Sequence, residues 1–111
     1  MIFVNKAASL STTGYIVQDY GGSLEVAFSL RKLSNTATNC IRIREDGGDT
    51  ETDIGFSGDD LDAAAIASHC GANLGYVVKW YDQSGNGVDV SQSSHLNQPK
   101  IYDGSSVRTD S

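Results

Sequence analysis

At residues 79–87, KWYDQSGNG, an apolar stretch gives way to polar and small residues, and we call this junction the corner. The residues just before the corner, 76–81, have the β-branched and aromatic side chains typical of a strand. Gly85 and Gly87 tolerate positive φ angles, and Asp82 is a residue type that hydrogen-bonds its own backbone in turns. The sequence therefore predicts a β-strand that ends in a tight turn at one end of a sheet.

This corner has a structural and a functional interpretation. As a functional site it offers four candidate ligand-binding residues, Trp80, Tyr81, Asp82 and Asn86, because aromatic rings stack on sugars while Asp and Asn oxygens hydrogen-bond their hydroxyls. Trp80 and Tyr81 must point to opposite faces of the strand, and we expect Trp80 to lie in the core. The alternating oxygens resemble the first half of a calcium loop, but Ser93 stands where a bidentate Glu is required. No metal and no other cofactor is predicted.

Alternating apolar and polar residues indicate further strands. Residues 24–33 and 41–44 both alternate with period two, which predicts half-buried strands. Residues 88–90 alternate again, and residues 99–102 read as a last short strand.

An Asp-Gly turn joins the second of these strands to a partner. Residues 46–49, DGGD, predict a hairpin turn, after which residues 50–56 return as the partner strand. In this hairpin Arg42 and Arg44 lie on one face of the strand. On the partner strand Asp53 is expected to face Arg42, and Glu51 is expected to face Arg44. The sequence predicts a solvated or salt-bridged sheet face.

One helix is expected between the hairpin and the corner. Asp59 or Asp60 serves as its N-cap, acidic residues occupy its first turn, and Gly71 ends it in the C′ position. Cys40 and Cys70 have no metal-site spacing and are interpreted as small buried hydrophobic residues.

The length of 111 residues allows one domain at most. A Ser- and Thr-rich stretch separates an N-terminal arm, residues 1–14, from a β-rich domain at residues 15–103, and a polar tail at residues 104–111 is expected to be flexible. The arm begins with an apolar patch formed by Ile2, Phe3 and Val4. This patch is predicted to serve assembly by pairing with a neighbouring subunit, or to add an edge strand to its own sheet.

Charge and hydropathy exclude two classes of partner. The net charge of −6 argues against nucleic acid, because phosphate binding relies on clustered Lys and Arg. No stretch approaches the ~20 consecutive apolar residues that span a bilayer, so no membrane partner is expected.

Several short segments together resemble a known family. In chain order they are FSLRKL at 28–33, IRIR at 41–44, TDIGF at 52–56, LDAA at 61–64, WYDQSGNG at 80–87 and NQP at 97–99. They resemble the first part of the catalytic domain of fungal and bacterial α-L-arabinofuranosidase B. The resemblance is closer to the arabinofuranosidase-like, concanavalin A-like domains of tailed-phage structural proteins, and it covers residues 15–103.

The resemblance implies a mainly β fold, an antiparallel and partial β-sandwich of concanavalin A-like type with one short α-helix. Glycosidases of this kind need two positioned carboxyl groups, which in the enzyme family lie downstream of the matched segment. No catalytic residue is carried over, and the chain is predicted not to be an enzyme. The enzyme family also has a close pair of cysteines near the position of Cys70, where this chain has Asn73, Leu74 and Gly75.

Three functions follow from these observations. The leading one is a non-enzymatic phage virion structural protein, either a capsid decoration or cement protein or a tail- or fibre-associated component. It would lie in the virion as a homo-oligomer or multi-copy assembly, with other virion proteins such as the major capsid or tail protein as partners. The alternative is a carbohydrate-binding module of a phage or secreted glycan-handling protein, with surface glycans as partners. The third is a glycosidase.

Overall fold

The structure is a computed structural model that describes residues 2–3 and 27–108. Its elements, in chain order, are β1 (Ile2–Phe3), β2 (Ala27–Phe28), β3 (Ile41–Glu45), β4 (Glu51–Ile54), β5 (Phe56–Ser57), β6 (Asp60–Leu61), α1 (Ala63–Cys70), β7 (Gly75–Trp80), β8 (Val90–Ser91), a 3₁₀ helix (His95–Asn97) and β9 (Lys100–Tyr102).

The main sheet is antiparallel and centres on β3 and β7. β3 pairs with β4 on one side and with β7 on the other. β8 and β9 share the remaining edge of β7: β8 pairs with its end at Lys79 and Trp80, and β9 pairs with its start at Gly75 and Tyr76. Two small ladders lie outside this sheet, β1 with β2 in parallel and β5 with β6 antiparallel. Within residues 2–3 and 27–108 the predicted mainly β, antiparallel fold with one short helix is confirmed, and it is consistent with a partial β-sandwich.

The β3–β4 hairpin has the predicted register. Arg42 lies opposite Asp53 and Arg44 lies opposite Glu51, while Ile41 and Ile43 are fully buried on the other face. This agreement follows from local information, because the hairpin turn fixes the register of the strands that it joins.

The helix begins later than predicted. Its N-cap is Asp62, whose Oδ1 accepts a hydrogen bond from the Ala65 amide at 3.1 Å, so the expected caps Asp59 and Asp60 are wrong. No acidic residue lies in its first turn, which also corrects the expected acidic first turn. The reason is that Asp60 and Leu61 pair with β5 as strand β6 and are therefore not available to the helix. The helix ends at Gly71, which has the positive φ of 61°.

The predicted strand over residues 24–33 is much shorter in the described part of the chain. Only Ala27 and Phe28 form a strand, and residues 24–26 lie outside the described residues. Ser29 is 0% exposed although the alternation assigned it to the solvent side. Its carbonyl oxygen accepts hydrogen bonds from the Cys40 thiol at 3.2 Å and from the Gln83 amide at 3.2 Å, so buried hydrogen bonds, and not strand pairing, hold this residue in place.

Parts of the predicted arm and tail have defined partners. Ile2 and Phe3 pair in parallel with Ala27 and Phe28 of the same chain, while Val4 lies outside the described residues. At the other end, Val107 forms a bridge with Tyr102, and the Arg108 amide donates to the Ile101 carbonyl at 2.7 Å. Residues 104–108 therefore turn back onto β9.

The core lies between α1 and the sheet face that carries the isoleucines. α1 contributes Ile66 and Cys70, which pack with Ile41, Ile43 and Cys40. Both cysteines are free and buried, as predicted, and burial raises the pKa of the Cys40 thiol to about 12. Within the described residues no helix is long and apolar enough to cross a membrane.

Candidate functional site

The corner after β7 is organised by the Asp82 carboxylate. Its Oδ1 accepts a hydrogen bond from the Ser84 amide at 2.9 Å, and its Oδ2 accepts from the Ser84 hydroxyl at 2.8 Å and from the Val88 amide at 3.1 Å. Gly85 and Gly87 have positive φ angles of 93° and 73°. The Asp82 side chain is thus used within the turn, which favours the structural interpretation of this residue.

Asp89 closes the turn from its far end. Its Oδ1 accepts a hydrogen bond from the Asp82 amide at 2.8 Å, and its Oδ2 lies 3.9 Å from the Lys79 ammonium. Asn86 is exposed at the tip, and its amide donates to the Ser84 hydroxyl oxygen at 3.3 Å. Of the four predicted ligand residues, Asp82 and Asn86 therefore lie together in this turn.

Trp80 and Tyr81 point in opposite directions. Trp80 is partly buried and packs against the core, and its indole Nε1 lies 3.5 Å from the Ser29 carbonyl oxygen as a hydrogen-bond donor. Tyr81 instead donates its hydroxyl proton to Oδ1 of Asp53 on β4. The Lys79 ammonium lies 5.3 Å from the centre of the Tyr81 ring. The structure therefore places Trp80 where we expected it and Tyr81 away from the core.

Tyr81 belongs to a group of polar side chains on the sheet surface opposite the core. We call this surface the polar face and define it by Arg42, Glu51, Asp53, Lys79 and Tyr81. Arg42 lies directly opposite both Asp53 and Lys79 in the two strand pairings. Its Nε donates to Glu51 at 2.9 Å and its Nη1 donates to Asp53 at 3.0 Å. Three neighbouring strands thus contribute to one ion-paired surface.

The electrostatics of the polar face keep Asp53 charged. Partial burial acts to raise the pKa of Asp53, but hydrogen bonds from Tyr81 and Arg42 outweigh it, so the pKa lies below its usual value. Burial, followed by the hydrogen bond to Asp53, raises the pKa of Tyr81 to about 12. The two hydrogen-bonded carboxylates also raise the pKa of Arg42. At neutral pH the face therefore presents a charged Asp53 and a neutral Tyr81.

Gln83 fixes the corner to the rest of the domain. It is 4% exposed, its Oε1 accepts from the Leu33 amide at 2.6 Å, and its Nε2 donates to the carbonyls of Ser29 at 3.2 Å and Arg31 at 2.8 Å. A turn sequence does not indicate that one of its amides will be buried against a segment fifty residues earlier. No local pattern in the sequence therefore predicts a role for Gln83.

A buried arginine bounds the same sheet surface at its other end. Arg44 is 5% exposed, its Nε donates to Oε1 of Gln98 at 2.9 Å, and its Nη1 donates to Asp49 at 2.8 Å. The guanidinium carbon lies 4.9 Å from the centre of the Tyr76 ring. Gln98 in turn donates to the Gln92 carbonyl at 2.8 Å, so the loop between β8 and β9 is held over Arg44. The predicted solvated or salt-bridged face is confirmed at both positions: Arg42 forms ion pairs at the surface, whereas Arg44 is buried and paired with Asp49.

No cluster of three or more His, Cys, Asp or Glu side chains suited to a metal ion occurs among residues 2–3 and 27–108. The Asp82 turn, whose first residues resemble a calcium loop, directs its carboxylate to its own backbone.

Comparison with known proteins gives a partial structural match. No family model and no curated protein sequence matches the chain. Solved structures of GH54 α-L-arabinofuranosidases do match, with 29% sequence identity and a TM-score of 0.51. They include a mutant soaked with 4-nitrophenyl α-L-arabinofuranoside, an arabinofuranosidase complexed with arabinofuranosyl-α-1,2-xylobiose, and an enzyme soaked with a cyclic sulfate inhibitor. Each match covers 56% of this chain and 14% of the enzyme chain.

These matches support an arabinofuranosidase-B-like fold and correct one prediction. The prediction that the chain is not an enzyme is wrong, because the similar structures are enzymes. That prediction rested on the carboxyl pair of the enzyme family lying downstream of the matched segment. Each match covers only 14% of the enzyme chain, so residues outside the match do not decide whether the protein is an enzyme. The matches give no support to a phage structural role, so the virion function, location and partners stay predictions.

Proposed function

We propose that this domain binds carbohydrate through the polar face, as part of an arabinofuranosidase-like unit, and that its ligands contain an α-L-arabinofuranosyl group. The observation that carries the proposal is the position of Tyr81, held on the open sheet surface by Asp53 and next to Arg42. The similarity to arabinofuranosidases supports the class of sugar. The activity of a complete enzyme would involve far more chain than the matched 14%.

The chemistry of the polar face suits a sugar. An aromatic ring provides an apolar surface for the C–H groups of a sugar ring, and its hydroxyl is a polar handle at the edge. Arg42 has five N–H donors in a fixed plane, of which Nε and Nη1 bond to Glu51 and Asp53 within the described residues. Both acids also keep acceptor capacity, so hydroxyl groups find donors and acceptors side by side.

The same face is suited to binding and orientation rather than to proton donation. A general acid at neutral pH needs a raised pKa, whereas the pKa of Asp53 is lowered. Asp89 is used within the corner, where it accepts a hydrogen bond from the Asp82 amide and lies 3.9 Å from the Lys79 ammonium. We therefore assign ligand contacts, and no proton-transfer step, to these residues.

Titration of the full chain with arabinofuranosyl-α-1,2-xylobiose, followed by NMR or calorimetry, tests the proposal. We expect saturable binding, absent with xylobiose, and perturbation of Tyr81 and Arg42 signals. Tyr81→Ala should weaken binding by about 1 kcal/mol because the ring contact is lost, whereas Tyr81→Phe should retain part of it. Ser57→Ala, on the separate β5–β6 ladder, is the control. Equal binding of xylobiose, or unchanged affinity in Tyr81→Ala, would contradict the proposal.

Assembly with other subunits is a second candidate function, and one observation favours it: β8, at an edge of the main sheet, carries the exposed Val90, and Val88 precedes it in the chain. A virion would be one setting for such assembly. Detection of the protein by mass spectrometry in purified particles would support that location, and its absence from them would contradict it.

A further inference from the structure

The two edges of the main sheet, at β4 and at β8, differ in charge. Within residues 27–108, β4 pairs only with β3, and β8 pairs only with β7. The β4 edge carries Glu51 and Asp53 at alternate positions, and charged side chains on an edge oppose pairing with another strand. β8 is the first part of a ten-residue stretch, residues 90–99, that contains no Asp, Glu, Lys or Arg. The β4 edge is thus protected by charge and the β8 part of the opposite edge is not, although Lys100 lies on its β9 part.

Exposed apolar side chains occur on β8 and in the residues on either side of it in the sequence. The large hydrophobic residues that are exposed in the described part of the chain are Val88 at 52%, Val90 at 48% and Leu96 at 96%. All three lie between the corner after β7 and the start of β9. Single exposed hydrophobic residues are common on protein surfaces, but these three occur within nine residues of the chain and one of them, Val90, lies on β8, which favours a contact surface at this strand.

The backbone of β8 is oriented to accept another strand. The Gln92 amide donates to the Val78 carbonyl at 2.8 Å, so this N–H group points toward β7. Successive N–H groups of an extended strand point to opposite sides, and the Ser91 N–H group therefore points away from β7. Ser91 is exposed, as expected for a residue at an open edge.

We propose that β8 pairs antiparallel with β8 of a second copy of this chain about a two-fold axis, which would join the two main sheets edge to edge. Two chains of net charge −6 repel each other over most of their surfaces, and the uncharged edge is where they can approach. The acid nearest this edge, Asp89, is compensated internally by Lys79 and by the Asp82 amide. A self-complementary strand pair is the isologous contact that a two-fold dimer requires.

Sedimentation of the full chain from micromolar to millimolar concentration tests this dimer, together with hydrogen exchange of the Ser91 amide. We expect a monomer–dimer equilibrium in which exchange at Ser91 slows as dimer forms. Ser91→Pro removes only the outward N–H group and is tolerated on an edge strand, so the variant should stay monomeric and folded. Val90→Lys should weaken association by about tenfold or more, because it places a charge on the edge. Ser57→Lys makes the same charge change on the β5–β6 ladder and should dimerise like the wild type.

Three results would overturn the proposal. The first is a wild-type chain that stays monomeric at millimolar concentration. The second is a dimer of unchanged strength in Ser91→Pro and Val90→Lys, since another surface would then be responsible. The third is full protection of the Ser91 amide in the monomer, since the chain's own residues would then cover the edge. If Ser91→Pro does not fold, Val90→Lys against Ser57→Lys decides the question.

Discussion

Tyr81, which follows β7, donates a hydrogen bond to the carboxylate of Asp53 on β4 across the intervening strand β3. Arg42 on β3 donates to the same Oδ1 atom at 3.0 Å. One carboxylate oxygen therefore joins side chains from three parts of the chain. The hydrogen bond to Asp53 adds to burial in raising the pKa of Tyr81, and the same bond holds the Tyr81 hydroxyl at this oxygen.

The first prediction concerns the ionisation of Tyr81. Its pKa is about 12, raised first by burial and then by Asp53. Asp53→Asn removes the negative charge and keeps the volume, so we expect the pKa to fall toward the ordinary value of 10.0 without reaching it, because burial persists. Titration of the assigned Tyr81 ring signals by NMR measures this change. Glu51→Gln, which leaves the Tyr81–Asp53 bond in place, is the control, and an unchanged pKa in Asp53→Asn would show that the bond is unimportant.

The two arginines of β3 should respond differently to truncation. Arg44→Met leaves the buried Gln98 without its donor and removes the contact with Tyr76, so we expect a loss of about 1–3 kcal/mol in the free energy of unfolding. Arg42→Met removes ion pairs that solvent reaches, and its loss should be smaller. Urea unfolding of both variants measures the difference. Equal losses would mean that the burial of Arg44 has no energetic consequence.

Replacement by glutamate should destabilise the domain more at Gln83 than at Gln92. Gln83→Glu replaces the amide donor by an oxygen that faces the carbonyls of Ser29 and Arg31, so we expect destabilisation of about 2 kcal/mol or more. Gln92→Glu makes the same change where the side chain uses only its acceptor oxygen, toward the Ser94 amide, and should be tolerated. Thermal unfolding compares them. A stable Gln83→Glu variant would argue against the corner being fixed through this amide.

Glu45 should make the domain sensitive to acid. The Thr50 hydroxyl and the amides of Thr50, Gly48 and Gly47 lower the pKa of this carboxyl from 4.5 to about 2. The unfolded chain takes up the proton first as the pH falls, so the stabilisation present above pH 4.5 is lost progressively toward pH 2. Glu45→Gln should be less stable at neutral pH and lose less stability over that interval.

Unfolding measured across this pH interval tests the role of Glu45. Thr50→Val keeps the carboxyl but removes its hydroxyl donor, so it should raise the pKa of Glu45 and give intermediate behaviour. A Glu45→Gln variant with the acid dependence of the wild type would show that other groups are responsible.

The sequence predicted well where local rules decide the structure. The register of Arg42 with Asp53 follows from an Asp-Gly turn and from strand alternation, both of which act over a few residues. The predicted start of α1 was wrong because Asp59, Asp60 and Asp62 are equally good N-caps by residue type. The pairing of Asp60 with Ser57 places Asp60 in a strand and leaves Asp62 as the N-cap.

Long-range contacts account for the remaining differences. The burial of Ser29 depends on donors from Cys40 and Gln83, and the burial of Arg44 depends on Gln98. No local sequence pattern predicts any of these contacts. For the same reason Asp53 was assigned to a surface ion pair and not to the candidate site, since its contact with Tyr81 requires β4, β3 and β7 to be neighbours.

The reactivity of the Cys40 thiol can report local unfolding of this domain. Buried beside Ser29 and with a pKa near 12, it stays protonated and is shielded from alkylating reagents while the native packing persists. Its rate of labelling by iodoacetamide should therefore follow the frequency with which the segment carrying Ser29 detaches from the sheet.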